Sequence, residues 1–364
     1  MRVKTALVTL CLLVVAGIGS GPAAASIPSG FAGVLVDGPS LDGSVDFAEQ
    51  TRAMRANRVS WVRLPVDWAQ VEPQDGEYYF GKLDSMIAAA AASGLDVMPV
   101  VKHAPYWASV PPAAVNAPPK NPAEYGSFMK KLAARYGTDG TFWSTPGVTY
   151  RPVKKWQVWN EPDMPYAWRR DRGTTWQAGY VKVLRSARSG ILEADPKATV
   201  VLGGLSNYSW RSLRLLYKAG ARRLFDVAAL HPFSKRVSGV VEIATLSRQE
   251  MKRWGDGSKP LILGEVSWSS SNGKAVGLST GKPFSWDTSE SGQAKRVAEV
   301  IRALAAKRKS LRIESFAWAT WLSPAPGSRY WFDYTGLNRL RGERVVGKPA
   351  LKAYRDTVRR LGGR

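Results

Sequence analysis

WQVWNEPD, residues 156–163, and KPLILGEVSW, residues 259–268, each carry a short apolar run that stops at a glutamate flanked by aromatic side chains. Short continuous apolar runs bounded by turn residues are what strands of a parallel sheet look like when both of their faces are buried. Reading outward from these two, six more runs of the same kind occur, at 31–38, 60–65, 96–103, 198–204, 227–233 and 314–321. Helix-like segments separate them.

The clearest of those segments is NPAEYGSFMKKLAARYG, where Tyr125, Phe128, Met129, Leu132 and Tyr136 recur at helical spacing. Asn121 can cap it, Pro122 suits its first turn and Gly137 its end. Residues 83–92 and 293–307 read the same way. Eight alternating βα units predict an α/β fold, a single (β/α)8 TIM barrel. Glu161 and Glu265 would then end the fourth and seventh strands. The carboxyl ends of barrel strands form the face on which such folds build their sites.

The first 25 residues predict a secretory signal peptide: Arg2 and Lys4 precede a short apolar stretch, and Ala23-Ala24-Ala25 offers a cleavage site. A spanning anchor needs about 20 apolar residues, and this run is broken by Gly17, Gly19, Gly21 and Pro22. We therefore expect no transmembrane anchor, a secreted, extracellular protein, and one catalytic domain over residues 26–364. The only cysteine, Cys11, would leave with the leader. That excludes a disulfide framework and cysteine chemistry from the mature chain.

The formal net charge of +23 makes attraction to polyanions an expectation, including electrostatic association with an anionic cell surface. The basic residues are scattered in short clusters such as Lys307-Arg308-Lys309, so no dedicated nucleic-acid site is expected. A metal-dependent hydrolase ordinarily draws on several His or Cys ligands. With two histidines and a single cysteine in the chain, neither metal nor other cofactor is expected. GLSTG at 277–281 matches a serine-hydrolase elbow, but it sits in a polar loop ahead of Pro283 and reads as chance.

Asn160-Glu161-Pro162 at the end of the fourth strand, with Glu265 ending the seventh, resembles clan A of the retaining glycoside hydrolases, the barrel clan that includes families 5 and 39. The resemblance runs from about residue 31 to 354. RYG at 135–137 and TFW at 141–143 are most similar to family 39 hydrolases active on exopolysaccharide. It implies cleavage of a β-linked poly- or oligosaccharide by double displacement, with Glu161 as general acid and base, Glu265 as nucleophile and Asn160 bonded to the sugar 2-hydroxyl.

Charge logic agrees: Arg63, ending the second strand, is placed to keep a nucleophile ionised, while tryptophans around Glu161 would keep an acid protonated. His103 and His231 fall at strand ends and are expected at the site. Of the tryptophans near strand ends, Trp318 resembles the clan's sugar-stacking platform, and Trp107 and Trp268 are further candidates for substrate contact. The clan's tyrosine shortly after the sixth-strand histidine is replaced by Phe233, so either another hydroxyl such as Tyr208 or Tyr330 substitutes or the nucleophile is held differently. Two other readings stay open on sequence alone, a non-catalytic carbohydrate-binding barrel and a polyanion-binding surface protein.

Overall fold

The computed structural model describes residues 26–169, 173–276, 285–324 and 327–363. The expected signal peptide and the GLSTG match at 277–281 lie outside the described residues. All eight apolar runs form strands: β1 (Ala32–Leu35), β2 (Trp61–Asp67), β3 (Asp96–Lys102), β4 (Lys155–Val158), β5 (Thr199–Leu205), β6 (Val227–Leu230), β7 (Leu261–Val266) and β8 (Ile313–Ala319). They close in sequence order, with β8 pairing in parallel to β1.

The outer helices are α1 (Phe47–Ala56), the short α2 (Trp68–Val71), α3 (Gly81–Ala92), α4 (Pro122–Tyr136), α5 (Trp176–Ala194), α6 (Ser209–Lys218), α7 (Val237–Arg253), α8 (Glu290–Leu311) and α9 (Pro349–Arg360). Helix α4 begins as its sequence predicts, with Asn121 accepting a 3.0 Å hydrogen bond from the Ala123 amide, and its five apolar positions are all buried. A small sheet that the sequence reading did not anticipate follows β8, made of β9 (Leu322–Ser323), β10 (Asn338–Arg341) and β11 (Arg344–Gly347). Among the described residues no helix is long and apolar enough to cross a membrane.

The barrel interior is layered. Trp61, Met98, Val201, Val227, Ala229, Ile262 and Ala317 form an apolar cluster separate from the main core between sheet and helices. Side chains two residues along a strand share a face, so Arg63 stands above Trp61, His231 above Ala229 and Gly264 above Ile262, toward the carboxyl end. This next layer is polar and buried: Arg63, Gln157 and His231 are at most 2% exposed. Buried polar groups demand partners: Arg63 and Gln157 find them in one another and in the groups just above, and His231 finds one for Nδ1 in Glu161, while its Nε2 has none among the described residues.

Candidate active site

Glu161 lies three residues beyond β4. Its amide donates to the Gly204 carbonyl at 3.0 Å, and Asn160 bridges to the same glycine, which pins the segment against β5. Trp159 and Glu161 both take left-handed backbone, with φ of 64° and 45°. Such conformations are costly for residues with a Cβ and persist where surrounding contacts enforce them. The enforcement is visible: Trp159 is buried, with its indole N–H on the Ala167 carbonyl at 2.9 Å. Asp163 is likewise buried and accepts from the Ser206 and Ser212 hydroxyls at 2.8 and 2.7 Å, tying the turn to the start of α6.

Glu265 sits within β7, facing the same space. Arg63 holds three acceptors together: Nη1 donates to Glu265 Oε1 at 2.8 Å, Nη2 to Asn160 Oδ1 at 2.5 Å and Nε to Gln157 Oε1 at 3.1 Å. His231 lies beneath both glutamates, its Nδ1 2.8 Å from Glu161 Oε1 and 3.6 Å from Glu265 Oε1. Those two contacts on one nitrogen bring the two Oε1 atoms within at most 6.4 Å of each other. Carboxyl pairs about 5 to 5.5 Å apart suit double displacement, whereas inversion needs about 6.5 to 9.5 Å to admit a water.

The two acids differ in their surroundings. Burial raises the Glu161 pKa, opposed by the Tyr166 hydroxyl, which donates to Oε2, and by Arg63 and Lys102. Glu265 holds the direct ion pair with Arg63. Burial also pushes His231 down to about 4, so the imidazole is neutral near neutral pH. A neutral imidazole can donate from Nδ1 to the Glu161 carboxylate or, as the other tautomer, accept from its protonated form. Burial and then the charge of Glu265 push the Tyr330 phenol up to about 12. Among the described residues no three His, Cys, Asp or Glu side chains gather as a metal site requires.

Arg63, Asn160, Glu161 and Glu265 line a cavity of about 210 Å³. His231 is its buried support. The other expected residues are placed elsewhere. His103 pairs with Asp67 at 2.9 Å and lines a neighbouring groove instead. Trp107 packs edge-on against Trp68 with its N–H on the Glu72 carbonyl. Trp268 and Trp318 are only 2% and 0% exposed, their indole N–H groups on the Lys235 and Thr335 carbonyls. Neither ring has an open face on which a sugar could stack, so the expectation of a Trp318 platform is corrected.

The aromatic walls come from residues the sequence reading passed over. Tyr166, Trp331 and Phe332 line the cavity with Tyr330 and Phe233, whose ring meets Trp331 edge-on at 5.4 Å. Tyr330 thus stands at the site, while Tyr208 lies in a separate pocket. The run YWFDY at 330–334 was the available signal: four aromatic rings in five residues of a loop just after a barrel strand.

A family model described as beta-galactosidase, of glycoside hydrolase family 42, matches residues 43–111, a stretch that holds Arg63 and neither glutamate. Among solved structures, a family 39 glycoside hydrolase from the gut symbiont Bacteroides cellulosilyticus WH2 is similar with a TM-score of 0.66 at 17% identity. The alignment covers 90% of this chain and 63% of that one, so the chain spans less than two thirds of that protein's length. GH5_18 from Streptomyces cattleya, solved in complex with GlcNAc, has a TM-score of 0.64 at 16% identity, over 92% and 80% of the two chains. The GH53 catalytic domain of Ignisphaera aggregans has a TM-score of 0.59 at 18% identity, over 94% and 98%. The chain has the fold of these glycoside hydrolases. No curated protein matches it by sequence.

Proposed function

We propose that this protein is a secreted retaining β-glycoside hydrolase in which Glu161 is the general acid and base and Glu265 the nucleophile. The observation that carries the reading is the asymmetry of two neighbouring carboxylates. Arg63 pairs with Glu265 alone among them, and burial raises the pKa of Glu161.

Glu265 attacks the anomeric carbon while Glu161 gives its proton to the leaving oxygen, which forms a glycosyl ester on Glu265. Glu161, now a carboxylate, takes a proton from water as that water attacks the same carbon and frees Glu265. Arginine can only donate, so the oxygen of Asn160 faces Arg63 and its amide nitrogen remains to donate to a sugar hydroxyl. The neutral His231 serves Glu161 in both protonation states without adding charge.

The leader-like first 25 residues support export, and the net charge of +23 supports attraction to anionic glycans or cell surfaces. The test is release of reducing ends from β-glucans, β-mannans, xylans and bacterial exopolysaccharides, run beside Glu265→Gln. Turnover that vanishes in the variant is expected. Silence across the panel with sugar binding retained would replace this reading by a non-catalytic carbohydrate-binding barrel. Export is tested by N-terminal sequencing of the secreted chain, expected to begin at Ser26.

A further inference from the structure

We infer that the catalytic cavity is the middle of a cleft open at both ends, which takes an internal stretch of a glycan chain and meets anionic substituents of that chain on one arm. This deepens the hydrolase reading and rests on it. At about 210 Å³ the cavity is smaller than the roughly 300 to 1,000 Å³ usual for ligand sites. It has room for little beyond the reacting ring.

Two larger hollows continue it. The first, about 710 Å³, shares Asp37, Pro65 and Lys102 with the cavity and is built on the segments after β1, β2 and β3. The second, about 630 Å³, shares Phe233 with the cavity and is built chiefly after β5 and β6. In a closed eight-stranded barrel β2 and β6 stand opposite each other, so the hollows flank the carboxylates on opposite sides. A site that cuts only from a chain end must be walled off on one side of the scissile bond. Among the described residues both sides continue.

The arms differ chemically. The first mixes Asp37, Asp42 and Asp67 with Lys82, Lys102 and His103 over apolar walls. The second holds Lys235 and Arg236 and, among the described residues, no carboxylate in its lining. Neither cation has an ion-pair partner among the described residues, and both are exposed. The Lys235 backbone is fixed by the Trp268 N–H on its carbonyl. Beside them Tyr208 is 59% exposed, packed edge-on to Trp210 and covered on one side by the Arg211 guanidinium at 4.9 Å. An aromatic surface for a ring next to unpaired cations fits a sugar bearing carboxylate, sulfate or phosphate.

Two measurements test this. On any polymer of the panel that is hydrolysed, the molar-mass distribution is followed against reducing ends. An internal cut lowers the mean mass severalfold while few ends have appeared. Release of only mono- or disaccharides from an undiminished polymer peak would overturn the open cleft. The second is retardation of the full chain in gels containing carboxymethyl-cellulose, hyaluronan or polygalacturonate, against hydroxyethyl-cellulose and galactomannan, with Lys235→Ser/Arg236→Ser beside it.

The double variant is expected to bind the retarding polyanion about fivefold more weakly, as loss of two exposed charge contacts implies, and to bind neutral polymers unchanged. Equal retardation of parent and variant would assign the binding to diffuse net charge and overturn the anionic arm. Retardation needs no turnover, so binding that is lost in the variant while no polymer is cleaved would sink the hydrolase reading and not the arm.

Discussion

The imidazole of His231 occupies the space that a side chain on Gly204 would fill: a Cβ there would lie 2.0 Å from Nε2. On the other flank a Cβ on Gly264 would come within 3.1 Å of the same nitrogen. Two glycines, on the strands β5 and β7 that flank β6, thus leave a slot for one ring between them, and that slot sets the 2.8 Å contact with Glu161. Gly204→Ala must displace the ring or the strand. Overpacking of this kind costs about 1 to 3 kcal/mol, and misplacing a catalytic group by about 1 Å costs up to about 100-fold in rate. We expect kcat/KM at least tenfold down together with a lower thermal midpoint. Parent-like values of both would mean that the slot has slack.

Arg63 is 2% exposed and donates to three acceptors at once, on β7, on β4 and just beyond β4. Arg63→Met leaves Glu265 buried without its counter-charge, and breaking a buried pair from one side costs about 3 to 5 kcal/mol. Arg63→Lys restores a charge but not the planar fork that reaches three groups. Urea unfolding is expected to show a large loss for Met and a smaller one for Lys, with turnover abolished in both. Full turnover in the lysine variant would refute the positioning argument.

The strands were legible because both faces of each are buried, so their sequences are nearly uninterrupted apolar runs. Their limits were not. The run ending at Glu161 stops being a strand at Val158, since Trp159 leaves the extended region with φ of 64°. Glu161, Glu265, Arg63, Asn160 and His231 converge because strand ends converge. The tryptophans misled because an indole near a strand end can face either way. In Trp268 and Trp318 the N–H is satisfied by a backbone carbonyl inside the protein. The sheet of β9, β10 and β11 left no periodic trace in strands of two to four residues. Tyr166 owes its place to the turn that Asp163 ties down, which no local pattern announces.

Tyr166 is 63% exposed, yet its hydroxyl turns inward to donate to Glu161. A bond donated to a carboxylate favours the charged form and lowers the Glu161 pKa. Tyr166→Phe removes it with little effect on the fold, so the Glu161 pKa rises. If Glu161 is the acid, the alkaline limb of kcat/KM against pH reports loss of its proton and is expected to move to higher pH. A limb that stays in place or moves down would show that the phenol does not bond Glu161 in solution.

His231 and Glu161 make opposite contributions to stability as pH changes, because burial disfavours charge on both. For His231 the folded value of about 4 lies below the ordinary 6.5. Its contribution is complete above pH 6.5 and is lost as pH falls toward 4, because the unfolded chain binds the proton first. For Glu161 the folded value is raised, so its contribution is complete below the ordinary 4.5 and is lost as pH rises through the raised value. Two variants separate them. The stability lost in His231→Asn relative to the parent should shrink as the pH is lowered from 7 to about 4.5, since the parent loses its advantage there. Glu161→Gln, by contrast, should be more stable than the parent at pH 7 and lose that lead over the same descent, because the parent carboxyl regains its proton. Denaturant unfolding at several pH values measures both gaps, and trends of the same sign in the two variants would contradict burial as the common cause.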